Sequence, residues 1–387
     1  MKLYLREDNL LKKPRATVKE LEEKFEETAF RLTQERSDFL LPQVVDFVLK
    51  DKWINLRPEY QRRSVWDTQK RSLFIESLLL NIPIPPIFLF EHALSRYEVM
   101  DGQQRLNSVT DFYENGFPLR GLERWSELNG LRYRELPETL QRGLDRRRIS
   151  ATVLLAEGTK KKEFTRNDIR KLVFERLNTG GQTLNAQELR NCLFAGNFNN
   201  LLTKLSSNEL FTEIWEIPSY AQNVDANNNA AAVLRDNPLY KRMVDCEIVL
   251  RFFALRDSAK IKGSVRSMLD DSMEGNQNIS EDEANEFGKS YLDVLQIAHR
   301  IFGKRVFRMK DAKGKLKLSI PLYDGIMVAI FRLWDERERL VEKKADVVHR
   351  VEKLIGNPES YEVIVGRPNT STAIKERLRI LTEAIGG

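Results

Sequence analysis

Segments that read as β-strand end near residue 155, and beyond about residue 195 only helical periodicity remains. This division limits the fold more than any other feature of the chain. In the first half, short apolar runs bounded by Pro, Gly and Asn alternate with stretches whose apolar residues recur at helical spacing. That pattern predicts a small sheet covered by helices. The second half predicts a body of packed helices. A chain of 387 residues is too long for one compact core. The expectation is therefore an α+β protein: a helical extension over 1–40, a domain with a small mixed sheet over 41–195, and an all-α domain over 196–387.

Individual elements can be placed more closely. Helices are expected over 17–39, 41–50, 67–80, 106–113, 166–177 and 185–194, and strands over 54–56, 86–90, 97–100 and 148–155. Asp67 suits an N-cap, and Asn81-Ile82-Pro83-Ile84-Pro85 must stop the helix before it. Further on, helices are expected over 240–255, 281–302, 323–344 and 372–385, with a loop over 221–232.

Composition excludes several classes. No apolar run approaches the roughly 20 residues that cross a bilayer, and the first fifteen residues lack the apolar core of a signal peptide. Two cysteines, Cys192 and Cys246, without a CxxC pair, exclude a disulfide scaffold and a multi-cysteine zinc site. Together these point to a cytoplasmic protein with no membrane association. The net charge of +6, from 63 basic and 57 acidic residues, permits phosphate contacts without arguing for nucleic acid.

The segment Tyr97 to Thr110, YEVMDGQQRLNSVT, carries the clearest chemistry. A strand ends at Met100 and a helix starts within two residues. Gly102 lets the backbone approach closely or adopt positive φ. The first amides of the following helix lack intrahelical acceptors and lie at the positive end of its dipole, an arrangement that favours a phosphate. Arg105 lies in the first turn, where a guanidinium can grip phosphate oxygens in pairs. Gln103 and Gln104 suit a base, a ribose or an attacking water. A plainer reading has Asp101 capping the helix, Gly102 making the turn and Arg105 solvated.

Two further clusters accompany the turn. PEYQRRSVW at 58–66 places Tyr60, Gln61, Arg62, Arg63 and Trp66 between a strand and a helix. FERLNTGGQTLNAQEL at 174–189 places Asn178 and Thr179 beside two glycines. It also fits a helix stop followed by a capping box of Asn185 and Glu188.

These clusters, with the Ser-Leu-Leu-Leu-Asn-Ile-Pro-Ile-Pro run from Ser77, resemble the N-terminal domain shared by GmrSD-type and SspE restriction proteins. The matching pieces are YQR-x-x-x-W at 60–66, DGQQR at 101–105, and Arg-Leu-Asn-Thr-Gly-Gly…Leu-Asn-x-x-Glu-Leu from Arg176. The resemblance covers residues 40–195, and 246–252 is similar to the family's helical extension. It implies the ParB/sulfiredoxin-like fold, with Gly102 to Arg105 as the phosphate turn. Gln61 and Arg62 would add nucleotide contacts, Arg62 as a second cationic clamp. Asn178 and Thr179 would lie near the metal or terminal phosphates. Asp101 and Asn178 would assist Mg²⁺, and Gln103 or Gln104 would orient water. Leu177 stands where ParB proteins carry an acidic residue, which departs from the pattern for metal binding. Some family members hydrolyse nucleoside triphosphates to gate a nuclease.

Other features narrow the reading. The nearest approach to a classical phosphate loop, Gly288-Lys289-Ser290, has Glu283 where glycine is required. The three histidines, His92, His299 and His349, show no His-Asn-His context, so the chain reads as a stand-alone member without the HNH nuclease half. A sulfiredoxin-like activity would need a cysteine in the turn. Residues 270–281 read as an acidic loop with a faint EF-hand echo. Two basic stretches, Arg146-Arg147-Arg148 and Lys160-Lys161-Lys162, suit either DNA phosphates, with steep salt sensitivity, or a solvated charged face.

The resulting expectation is a nucleotide-binding, triphosphate-hydrolysing regulator or sensor of a prokaryotic antiphage restriction system. It would use Mg²⁺ and a nucleoside triphosphate of unspecified base, and act with a separate nuclease or defence partner, with self-association allowed. The competing readings are a non-catalytic DNA- or partner-binding module and, third, a metal-dependent nuclease built around Asp101.

Overall fold

The computed structural model describes residues 17–22, 32–56, 66–156, 166–177, 185–224, 230–310, 314–365 and 370–387. The protein is α+β, and its chain divides into two compact units: residues 1–56 with 71–177, and residues 57–70 with 178–387. The division falls within one helix.

The first unit contains β1 (Leu32–Leu40), α1 (Leu41–Leu49), β2 (Ile54–Asn55), α2 (Thr68–Leu79), β3 (Ile87–Ala93), β4 (Arg96–Asp101), α3 (Gln103–Tyr113), α4 (Glu138–Asp145), β5 (Arg148–Ala156) and α5 (Arg166–Leu177). The strands form one mixed sheet in the order β1-β5-β3-β4-β2. β1 runs antiparallel to β5, β5 parallel to β3, β3 antiparallel to β4, and β4 parallel to β2. Central β3 buries Ile87, Leu89 and Phe90, and β5 buries Ile149, Ala151, Val153 and Leu154. Leu106, Val109 and Phe112 of α3 and Leu41 and Val44 of α1 complete the core. Each such fully buried side chain contributes roughly 1.5–3 kcal/mol.

Helix α2 departs from simple amphipathicity because its buried face carries Ser72 and Glu76. Ser72 Oγ accepts the Arg120 amide at 2.9 Å, and Glu76 Oε1 accepts the amides of Arg124 and Trp125 at 3.1 and 2.9 Å. These polar groups fasten the long connection after α3, whose backbone donors would otherwise be buried without partners.

β1 overturns the expected helix over 17–39. Residues 18–22 are helical, but Leu32–Leu40 is a nine-residue strand paired along its whole length with β5. Thr33, Gln34, Glu35, Arg36 and Asp38 are exposed there, so no buried face imposed a two-residue period on the sequence. Backbone pairing at the end of a sheet decides this element, not side-chain pattern.

Tyr113 and Tyr133 stack with ring centroids 4.3 Å apart, and both hydroxyls donate to Asp145 Oδ1, at 3.0 and 3.1 Å. Burial, then the Asp145 charge, raises both phenols; Tyr133 is pushed up to about 12. With the folded value above the unfolded value of about 10, the native state holds its phenol protons longer. The contribution to stability is complete below pH 10 and falls as pH rises through 10 and past 12. Urea midpoints measured at pH 8 and pH 11 should therefore drop on the alkaline side, and less so in a Tyr113→Phe/Tyr133→Phe variant. An equal drop in both proteins would remove this pair as a cause.

The second unit is built from α6 (Ala186–Leu193), α7 (Asn197–Ser206), α8 (Glu209–Trp215), α9 (Val244–Leu255), α10 (Val265–Gly275), α11 (Glu281–Phe302), α12 (Ile320–Arg332), α13 (Lys344–Gly356), α14 (Pro358–Val365) and α15 (Ser371–Gly386), joined by shorter helical turns. Asn185 and Glu188 form the expected capping box of α6, with Glu188 N–H to Asn185 Oδ1 at 2.8 Å. Buried Arg190 of α6 donates to Asp270 Oδ1 at 2.7 Å and also meets Glu247 and the Arg266 carbonyl. A core of Leu255, Ile261, Met268, Val328, Ile374 and Leu378 joins α9, α10, α12 and α15. Gly325 lets α12 approach α15, since a Cβ there would lie 2.0 Å from Leu381 Cδ1.

Within that core Arg251 donates from Nε to both oxygens of Asp324, at 2.9 and 3.2 Å, and from Nη2 to Asp324 Oδ2. Arg377, also fully buried, donates from Nε to the Val363 carbonyl at 3.4 Å, and its Nη1 and Nη2 have no hydrogen-bond partner among the described residues. Burial lowers the Arg377 guanidinium, and Asp324 opposes that shift.

Three expectations for this half need correction. The acidic loop over 270–281 is helical through Gly275, and Asp270 is committed to Arg190. The single helix over 323–344 instead breaks at Leu333, where a 3₁₀ turn leads into a separate helix at Arg337–Glu342. Strands do occur here, as a hairpin of β6 (Arg308–Lys310) and β7 (Leu316–Leu318), each too short to leave a period in the sequence.

Candidate functional site

The turn between β4 and α3 has the expected geometry. Gly102 is the N-cap of α3 with φ +95° and ψ 8°, a left-handed conformation that side chains disfavour. A Cβ at this position would sit 2.5 Å from Ile87 Cγ2 and 3.0 Å from Ile87 Cβ. The turn is therefore pressed onto the central strand β3, and glycine is required by both conformation and space. By helix geometry the amides of the first turn have no intrahelical acceptors.

Asp101 does not cap α3, and Arg105 is not solvated. Arg105 Nη2 donates to Asp101 Oδ2 at 2.6 Å, and its Nη1 donates to the carbonyls of Pro85 and of Pro86, the latter at 3.3 Å. The Arg105 side chain is only 11% exposed, against 46% for Asp101. Burial holds the guanidinium below its ordinary value, and Asp101 pulls it back. Gln103 Nε2 donates to the Leu56 carbonyl at 2.5 Å, tying the end of β2 to the same turn. Gln104 is half-buried beside it.

Chemically, then, the turn presents backbone amides at a helix start, one half-exposed carboxylate and a cation already neutralised by it. The carbonyls of Pro85 and Pro86 are acceptors for Arg105 that the sequence did not reveal. The Ser77-to-Pro85 run is a motif of the sequence, but nothing local marks the Pro85 and Pro86 carbonyls as acceptors for an arginine about twenty residues later.

Arg146, Arg147 and Arg148 lie where α4 passes into β5. Arg147 is a structural residue: its Nη2 donates to the Leu79 carbonyl at 2.8 Å, and its own carbonyl accepts the Leu41 amide. Arg146 and Arg148 are exposed. Gln61, Arg62, Lys160, Lys161, Lys162, Asn178 and Thr179 lie outside the described residues.

Among the described residues no group of three or more His, Cys, Asp or Glu could hold a metal, and no helix is long and apolar enough to cross a membrane. Asp101 is the carboxylate within the 101–105 segment itself. A magnesium ion carried in by a triphosphate needs only one or two protein carboxylates, so Asp101 fits that mode of binding but not a self-contained metal centre. The carboxylate cluster required by the nuclease reading is not found among the described residues.

The family model described as GmrSD restriction endonuclease, N-terminal domain, matches residues 45–195. No curated protein and no solved structure matches the chain.

Proposed function

We propose, from the match of residues 45–195 to the family model described as GmrSD restriction endonuclease, N-terminal domain, that this chain is the nucleotide-binding regulator of a restriction-type defence system, with phosphates held at the 101–105 turn. The observation that carries the reading is the Gly102 turn: a left-handed glycine with no room for a Cβ, opening directly into the amides of α3. In this role Arg105 positions the turn, bracing it against Asp101 and the prolyl carbonyls. Phosphate oxygens would be met chiefly by backbone amides. When Mg²⁺ enters with the nucleotide, Asp101 is the residue that would hold it, and the ion would neutralise phosphate charge. Gln103 or Gln104 would orient a water for hydrolysis, and Gln103 is also engaged with the Leu56 carbonyl. The restriction nuclease under its control would be a partner of the domain.

Thermal unfolding with each common nucleoside triphosphate and Mg²⁺ tests this. At a ligand concentration of 100 times Kd the native state gains about 2.7 kcal/mol, an upward shift of several degrees. One nucleotide should shift the wild type and fail to shift Arg105→Ala. The comparison must be of ligand-induced shifts, because Arg105→Ala also lowers the unliganded midpoint. A wild type that responds to no nucleotide would overturn the proposal.

A further inference from the structure

β1 lies at one end of the sheet and is held there by one edge. Its nine residues pair with β5 in a single unbroken register, without a bulge, and include neither proline nor glycine. Exposed sheet ends are ordinarily blunted by brevity, proline, a bulge or lysines. The opposite end follows that rule, since β2 has only two residues. β1 does not.

One bond fixes the direction of its backbone groups. The Leu41 amide donates to the Arg147 carbonyl at 3.0 Å, which extends the pairing of Leu40 with Arg148 by one step. Antiparallel strands alternate between pairs that exchange hydrogen bonds and pairs that do not. Glu35, Ser37, Phe39 and Leu41 therefore turn their amides and carbonyls towards β5, and Gln34, Arg36, Asp38 and Leu40 turn theirs outward. The Leu40 amide fits this alternation, since it donates to Gln43 Oε1 at 2.9 Å. The outward groups of Gln34, Arg36 and Asp38 have no backbone partner among the described residues, and all three residues are exposed.

Such an edge is completed by another strand: main-chain hydrogen bonds supply the affinity, and facing side chains supply the register. The side chains of β1 select a second β1. Two copies related by a two-fold axis perpendicular to the sheet pair antiparallel, with one residue facing its own equivalent across the axis. An axis at Arg36 sets arginine against arginine, and one at Glu35 or Asp38 sets carboxylate against carboxylate. An axis at Ser37 places Arg36 opposite Asp38 of the second copy, twice over and on one face of the sheet. In that register the outward amides and carbonyls of Arg36 and Asp38 also bond each other. Asp38 Oδ1 accepts Ser150 Oγ at 2.6 Å, which leaves its second oxygen for a guanidinium.

We propose that β1 is a self-association edge, at which two copies of this chain pair antiparallel about Ser37 and join their sheets into one. The inference rests on β1 and β5 alone and stands whether or not the 101–105 turn binds nucleotide.

Sedimentation equilibrium of the full chain and of charge variants tests it. The wild type should dimerise. Arg36→Asp and Asp38→Arg each create two like-charged pairs across the axis and should weaken dimerisation at least about tenfold. The double variant Arg36→Asp/Asp38→Arg exchanges the charges and should restore it, which separates a lost contact from misfolding. Ser37→Cys should form an intermolecular disulfide on mild oxidation. A non-hydrogen-bonded pair holds its Cα atoms about 4.5 Å apart, within disulfide range. Gln34→Cys should not, because its equivalent in the second copy would lie about 20 Å away. A chain that stays monomeric at every concentration overturns the proposal. So does a dimer that the single charge variants leave intact, or that the double variant fails to restore. Cross-linking no faster at residue 37 than at residue 34 overturns it as well, since the contact then lies on another surface.

Discussion

Asp324→Ala is expected to destabilise the helical unit by about 3–5 kcal/mol. Asp324 is fully buried, and it is the carboxylate that Arg251 grips with two nitrogens. Burial pushes the Arg251 guanidinium down, but the attraction of Asp324 more than offsets it and leaves Arg251 above its ordinary value. Arg377 has no such partner among the described residues, and Asp324 acts on it at longer range. Removing the carboxylate therefore leaves two buried cations facing each other. Urea unfolding followed by circular dichroism and by the fluorescence of buried Trp215 would report the change. A second substitution checks the cause. Arg377→Met placed on top of Asp324→Ala should recover part of the loss, because it removes one of the orphaned charges and the two sites are coupled. If Asp324→Ala shifts stability by less than about 1 kcal/mol, the cluster is not what holds α9, α12 and α15 together.

The next largest effect is expected at the turn. Gly102→Ala must adopt a left-handed backbone and push its methyl into Ile87. The two penalties together come to about 2–4 kcal/mol, or a drop in melting temperature of roughly 5–15 °C for a unit of this size. The same variant should lose any nucleotide-induced shift, since the turn amides move with the glycine. A melting temperature within a degree of the wild type would contradict the close packing of Gly102 on β3. Retention of the nucleotide shift in a destabilised variant would place the phosphate elsewhere.

Much of the frame was legible because strong local signals agreed with the tertiary structure. Residues 281–302 were read as a helix from their periodicity and form one between the same bounds. The helix read at 67–80 spans Thr68–Leu79, with Asp67 Oδ1 accepting the Lys70 amide at 2.8 Å. The strand–glycine–helix turn was legible for the same reason: a glycine between a strand and a helix has few other uses. Features set by distant partners were not. β1 is a strand because β5 lies beside it, and its own exposed, polar residues are indifferent to that outcome. The engagement of Arg105 was hidden because two of its acceptors are carbonyls, which every residue possesses.

The brace around Arg105 bears on how a message could leave the turn. With its guanidinium committed to Asp101, Pro85 and Pro86, and Gly102 wedged against Ile87, the turn is held in one shape by its own neighbours. A turn held in this way would need no ordering to take a ligand, but it makes a poor messenger. A ligand can bias a conformational equilibrium only where the two states treat it differently, and a locked turn offers it no second state. If nucleotide occupancy is to be announced to another protein, the announcement must originate in residues that close over the phosphates, not in the cradle beneath them.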